Sequence, residues 1–198
     1  MPPAAELRLP DHLLADLRRR YQEPHRHYHT LTHVEALLGW LAECRSLARE
    51  PDIITAAIWF HDAIHVPTGA DNEPRSAALA RAELTAAHWP PASVDRVVDL
   101  VLATQHHRAP PDDVDAWLFL DLDLSVLGQD WPTYDAYRLA VRREFAHVPD
   151  EAFRERRAAV LQRFLARRSI FRTATLRDRW EAAARANLQR EATLLAGG

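Results

Sequence analysis

The chain has 198 residues and a formal net charge of −3, and all 25 of its basic residues are arginine. The absence of lysine excludes Schiff-base chemistry and a lysine-bearing P-loop, and only five glycines argue against a glycine-rich phosphate cradle. The charge balance argues against general nucleic-acid binding, which calls for a strongly basic domain.

The composition, 47% hydrophobic and 27% charged, is that of an ordinary globular chain. No segment approaches the roughly 20 apolar residues of a membrane span. The N-terminal MPPAAELRLPDHLL lacks the pattern of a secretory leader. The expectation is a cytoplasmic protein without membrane association. The single cysteine, Cys44, forms no internal disulfide and reads as a packed core thiol.

Helical punctuation runs through the whole chain. Asp11 is placed to cap a first helix to about Tyr21, with Leu13, Leu14 and Leu17 on one face. The segment QEPHRHYHTLTH has no period, and Pro24 breaks any helix through it. Thr32 and Glu35 make a capping-box pattern for a second helix from near His33 to about Leu47. Pro51–Asp52 opens a third, in which Ile53–His65 is apolar nearly all round yet carries His61 and Asp62. Such a helix is expected to be buried, and a buried charge needs a partner or a metal.

Asp71 or Asn72 caps a fourth helix to about His88, with an alanine-rich face at Ala77, Ala78, Ala80 and Ala82. Ser93 caps a fifth, SVDRVVDLVLATQHH, and a sixth, DVDAWLFLDLDLSVLG, ends at Gly128 as a C′ residue. Three more are expected: from Trp131 to about His147, from Pro149–Asp150 to about Arg168, and from about Thr175 to Leu195. Strand-like alternation and repeats are absent. The expected fold is all-α, in one domain whose core spans about residues 21–128, with the later helices packed on it. The arginine-rich stretch 151–168 reads as a solvated face or as the surface of a possible homodimer.

Four places put metal-type ligands where a surface role explains them poorly: His33 in the first turn of a helix, the His61–Asp62 pair, TQHH at 104–107, and Asp121 with Asp123. A helix N-terminus favours the neutral imidazole, the form that binds metals. Each feature taken alone has a plainer reading. His106 and His107 suit a helix C-terminus, and Asp121 suits a buried acid bonded to an arginine or to backbone. Residues two apart on a helix point to nearly opposite sides, so at most one of Asp121 and Asp123 faces a shared site. Together, two imidazoles and two carboxylates suit manganese, iron, cobalt, nickel or zinc better than magnesium.

The ordered set His33, Phe60-His61-Asp62 and Leu120–Gly128 on an all-α scaffold resembles the HD-domain superfamily of metal-dependent phosphohydrolases. The segments HRHYHTLTH and DNEPRSA are similar to a subgroup of HD hydrolases with a poorly defined role. The resemblance implies a divalent metal on His33, His61, Asp62 and Asp123, with Asp123 preferred to Asp121. It implies hydrolysis of a small phosphoester, such as a nucleotide, by a metal-activated water. Several families of this fold keep a glutamate three residues after the HD aspartate as general base. Here that position is His65, which suits either a base or a structural residue at a helix end, and Glu73 is a second candidate to position the water.

Arg26 is the expected phosphate fork, and His29 a phosphate contact or acid. His106 and His107 are further substrate-side candidates. Two other functions remain on the same scaffold: a di-iron oxygenase or dinuclear phosphodiesterase, which would recruit His88, His106 or His107, and a non-catalytic metal- or nucleotide-binding protein.

Overall fold

The structure is a computed structural model that describes residues 8–197. Residues 1–7, half of the stretch that shows no leader pattern, lie outside the described residues. The described residues form nine α-helices and no strand: α1 (Asp11–Arg20), α2 (Leu31–Glu43), α3 (Pro51–Phe60), α4 (Asn72–Ala86), α5 (Pro91–Ala103), α6 (Val114–Asp123), α7 (Trp131–Glu144), α8 (Asp150–Leu165) and α9 (Ala174–Ala196). The all-α expectation holds. No helix among the described residues is long and apolar enough to cross a membrane. The helices gather into two compact units, one up to Leu120 and one from Asp121 onward.

In the first unit α3 is the central element, packed against α2, α4 and α5. Its inner residues Ile54, Ala57, Ile58 and Phe60 are completely covered. α4 packs on α5 and buries Ala77, Ala80 and Leu84, the two alanines being small enough to let a neighbouring helix approach closely. Ala78 and Ala82, expected on the same face, are exposed. Both ends of α3 are tied. At its start the buried Asp115 carboxylate accepts from the Arg49 and Glu50 amides, each at 2.8 Å. Glu50 is the N-cap of α3, whose amide has no intrahelical partner, and Arg49 directly precedes it.

Several boundaries differ from the sequence reading. α1 begins at Asp11 itself, with Pro10 in the cap position. α2 starts at Leu31 behind Thr30, so the Thr32–Glu35 pair lies inside the helix rather than at its cap. α3 stops at Phe60, with His61 as its C-cap, and His65 is in the turn beyond. α5 starts at Pro91, a favoured first-turn proline, and TQHH follows the helix instead of ending it. At α6, Asp113 caps the first turn: its carboxylate accepts from the Ala116 amide at 3.0 Å and pairs with both terminal nitrogens of Arg96.

The second unit is organised by the 3-10 turn 124–128, against which α7 and α9 pack, while α8 packs on α9. Tyr134 of α7 and Arg157 of α8 both bond to the buried Glu191 carboxylate of α9. Asn187 of α9 donates to the Leu127 and Gln129 carbonyls at 2.9 and 2.8 Å. Gly128 ends the 3-10 turn without a positive φ, so it is not a left-handed cap. Its role is close approach: a Cβ there would lie 2.3 Å from Trp180 Cβ and 3.0 Å from Trp180 Cα.

Two outcomes follow from these contacts. Gly128→Ala forces α9 away from the turn and is expected to cost ~1–3 kcal/mol or more in urea denaturation; unchanged stability would contradict the close approach. Arg96 and the Ala116 amide hold the Asp113 carboxyl below its ordinary 3.8. A depressed acid stabilises the fold fully above that value, and the gain is lost as pH falls through the lower, folded value. Asp113→Asn is therefore expected to cost ~1–2 kcal/mol at neutral pH. The gap between parent and variant should begin to close as pH falls below 3.8 and vanish below the lower, folded value, and a gap that is constant with pH would refute the assignment.

Candidate metal centre

The C-terminus of α3 is buried, and a helix end leaves four carbonyls without intrahelical partners. Here each is met. The Ala57 carbonyl accepts from the His61 amide at 2.9 Å, and Phe60 from the Ala63 amide at 3.0 Å. The Ile58 carbonyl accepts from His61 Nδ1 at 2.8 Å, and Trp59 from the Tyr21 hydroxyl at 3.1 Å. A carbonyl can only accept, so His61 Nδ1 carries a hydrogen. In the neutral ring, Nε2 then presents a lone pair away from the helix.

That nitrogen faces two other polar side-chain atoms. His61 Nε2 lies 3.2 Å from His33 Nε2 and 3.1 Å from Asp62 Oδ2. Each of the three residues offers one ligand atom, and the three atoms lie within 4.8 Å of one another. His33 and His61 are buried, at 7% and 2% exposure, and the Asp62 side chain is 18% exposed. His33 sits in the first turn of α2, and its Nδ1 meets the Tyr28 hydroxyl at 3.2 Å. Phe119 closes the apolar side of His61 with an edge-to-face contact at 5.9 Å.

Two imidazole nitrogens and a carboxylate oxygen converge where α3 ends, a donor set of the kind that binds a cation. A divalent cation is the ordinary occupant, and both imidazoles already have their far nitrogens anchored as metal-ligating histidines do. The residues present therefore fit a first-row divalent metal. Of the four ligands expected from sequence, His33, His61 and Asp62 are brought together. Asp123 is half-buried at the last residue of α6, in the second unit.

Asp121 has different work. Its carboxylate accepts from the Arg172 amide at 2.9 Å and the Thr173 amide at 2.6 Å, at the start of α9. Burial pushes its carboxyl up to about 6 against the pull of those bonds. It is the buried acid bonded to backbone that its plainer reading describes.

The polar segment before α2 also differs from expectation. Arg26 was expected as an open phosphate fork, but its side chain is completely buried. Nε donates to Glu23 at 3.0 Å, one terminal nitrogen to the His29 and Asp62 carbonyls at 3.1 and 2.7 Å, and the other to the Ala63 carbonyl at 3.2 Å. It forks backbone oxygens, not phosphate. His25 Nε2 donates to the His65 carbonyl at 2.6 Å. Ser76 bonds both polar backbone atoms of Ile64, and the Asn72 amide bonds both of Val66. The carbonyls from Asp62 to Val66 are thus all taken by side chains.

His29 is the imidazole nearest the carboxylate edge of the cluster: Nε2 is 4.0 Å from Asp62 Oδ2, and the side chain is 23% exposed. The His65 ring is buried and packs against it in a tilted arrangement, centroids 4.2 Å apart. Glu73 is half-buried in the first turn of α4, His106 is exposed and His107 half-buried beyond α5. None of these three belongs to the His33–His61–Asp62 group.

The sequence reading missed Asp115, Ser76, Asn72 and His25 as supports of the site. The signal was present for two of them, since Asn72 and Ser76 are polar at helical spacing on an alanine-rich helix. No family model matches the chain, and searches of curated proteins and of solved structures return no match.

Tyr28→Phe removes the group that orients His33. It is expected to lower affinity for added Co²⁺ or Mn²⁺ by about 10–100-fold with the fold retained. Calorimetric titration checks this, and equal affinity would remove Tyr28 from the site.

Proposed function

We propose that the chain is a metal-dependent phosphohydrolase of the HD-domain type, acting on a small phosphoester such as a nucleotide. The observation that carries the reading is the convergence of His33 Nε2, His61 Nε2 and Asp62 Oδ2 at the buried end of α3. These residues would hold the metal, and on the sequence pattern Asp123 remains the candidate fourth ligand. A bound divalent ion acidifies a coordinated water and stabilises charge on phosphoryl oxygens.

The chain's own residues set the conditions for that chemistry. The Ile58 carbonyl keeps a hydrogen on His61 Nδ1, so in the neutral ring Nε2 is the nitrogen that can take a cation. Asp62 supplies a negative charge from a turn whose backbone is fixed on every carbonyl. His29 is exposed enough to meet a substrate and lies beside the Asp62 carboxylate. We assign His29 Nε2 the proton exchanged with the substrate oxygen, in place of the helix-borne base of related families. His65 packs behind it and holds the His29 ring in place. Arg26 is withdrawn from the phosphate-binding role.

The test is metal analysis of protein purified without chelator, then a phosphoester panel with the recovered metal restored. The expected result is a bound first-row divalent ion and turnover of at least one phosphoester. His61→Ala and Asp62→Ala should lose both while keeping their helical signal, and Asp123→Asn tests the fourth ligand. No hydrolysis with any metal, or two irons per chain with oxygen consumption, would overturn the reading.

A further inference from the structure

The Arg26 guanidinium is a buried cation whose hydrogen bonds run mostly to backbone oxygens of two separate segments. On one side are the Glu23 carboxylate and the His29 carbonyl; on the other are the carbonyls of Asp62 and Ala63. Beneath it, the Tyr21 ring lies 5.1 Å from the guanidinium carbon, and the Tyr21 hydroxyl caps Trp59. One side chain therefore sets the spacing between the strap 23–29 and the turn 62–63. The strap carries His29 and leads directly into His33, and the turn carries Asp62. The planar fork is what permits this, because a lysine ammonium is a point charge that cannot present fixed parallel donors to several carbonyls.

We propose that Arg26 is the positioning residue of the centre: it fixes the Asp62 backbone against the His29–His33 segment, and so sets the separation between the carboxylate and imidazole ligands. The inference rests on the metal-site reading above. It predicts that ligand geometry, more than global stability, depends on the fork. A loosened turn still folds, because most of α3 is buried and its start is tied by Asp115, while Ser76 and Asn72 hold the segment at 64 and 66 independently of Arg26. Metal affinity falls because all three donors must be held together at once.

The experiment compares parent, Arg26→Lys and Arg96→Lys. Arg96 braces the start of α6 and serves as the control for a lost guanidinium pair of purely structural effect. Two readouts are taken: affinity for Mn²⁺ or Co²⁺ by titration, and hydrogen exchange over residues 61–66 in the metal-free protein. Arg26→Lys is expected to lose at least tenfold in affinity and to exchange faster over 61–66. Arg96→Lys should keep parental affinity whatever its loss of stability. If Arg26→Lys does not fold, Glu23→Gln, which weakens only the bond at the Nε end of the fork by removing its charge, should show a smaller loss in the same direction.

Parental affinity in Arg26→Lys, or in Glu23→Gln where the lysine variant does not fold, overturns the inference and leaves the metal site standing. Equal affinity losses in Arg26→Lys and Arg96→Lys also overturn it, because the effect would then be one of stability alone. If the parent binds no metal, the proposed function fails and the ligand-positioning role fails with it. The exchange data then separate the two failures, since faster exchange over 61–66 still shows Arg26 bracing the turn.

Discussion

The buried end of α3 is the constraint on which the candidate site depends. A helix that ends inside a protein leaves carbonyls that cannot turn to water, and each unmet one costs about 1–3 kcal/mol. This chain meets one with the imidazole of His61 and one with the phenol of Tyr21. The same bond that satisfies the Ile58 carbonyl fixes the His61 tautomer and aims Nε2 at His33 and Asp62. Completing the helix and building the metal-type site are one event.

Beyond the helix end, the turn 62–66 has no regular structure to engage its carbonyls. The chain supplies side chains for each, from the strap 23–29 and from the first turns of α4. That explains why a stretch with so many polar groups lies beside an apolar core. Arg26, His25, Asn72 and Ser76 hold backbone, which leaves His29 as the half-exposed imidazole next to the Asp62 carboxylate. The division is between residues that hold the turn and residues that face outward from it.

A similar division separates the two acids of α6. Two residues apart, they cannot share a direction. Asp121 is turned to the amides that open α9, where several hydrogen bonds offset the burial of its carboxylate. Elsewhere in the second unit Asn187 meets the carbonyls beside Gly128 in the same manner, while Glu191 gathers the side chains of Tyr134 and Arg157. Polar groups in this chain are buried mainly where backbone ends need them.

The sequence by itself determined the helical class, most helix positions to within a turn, and the residues His33, His61 and Asp62. It could do so because apolar periodicity reports burial, and an imidazole and a carboxylate in an apolar helix demand partners. It also separated Asp121 from Asp123 by helical geometry without choosing between them. Only the tertiary structure decided which polar side chains serve the backbone. Arg26 has the composition of a phosphate ligand, and nothing local says that its fork is turned inward. Its partners at 62 and 63 are far along the chain, and hydrogen bonds to main-chain carbonyls leave no mark in the identity of the residues that accept them. For the same reason the end of α3 at Phe60, the place of His65 beyond it, and the packing role of Gly128 against Trp180 were decided by the fold and not by the local sequence.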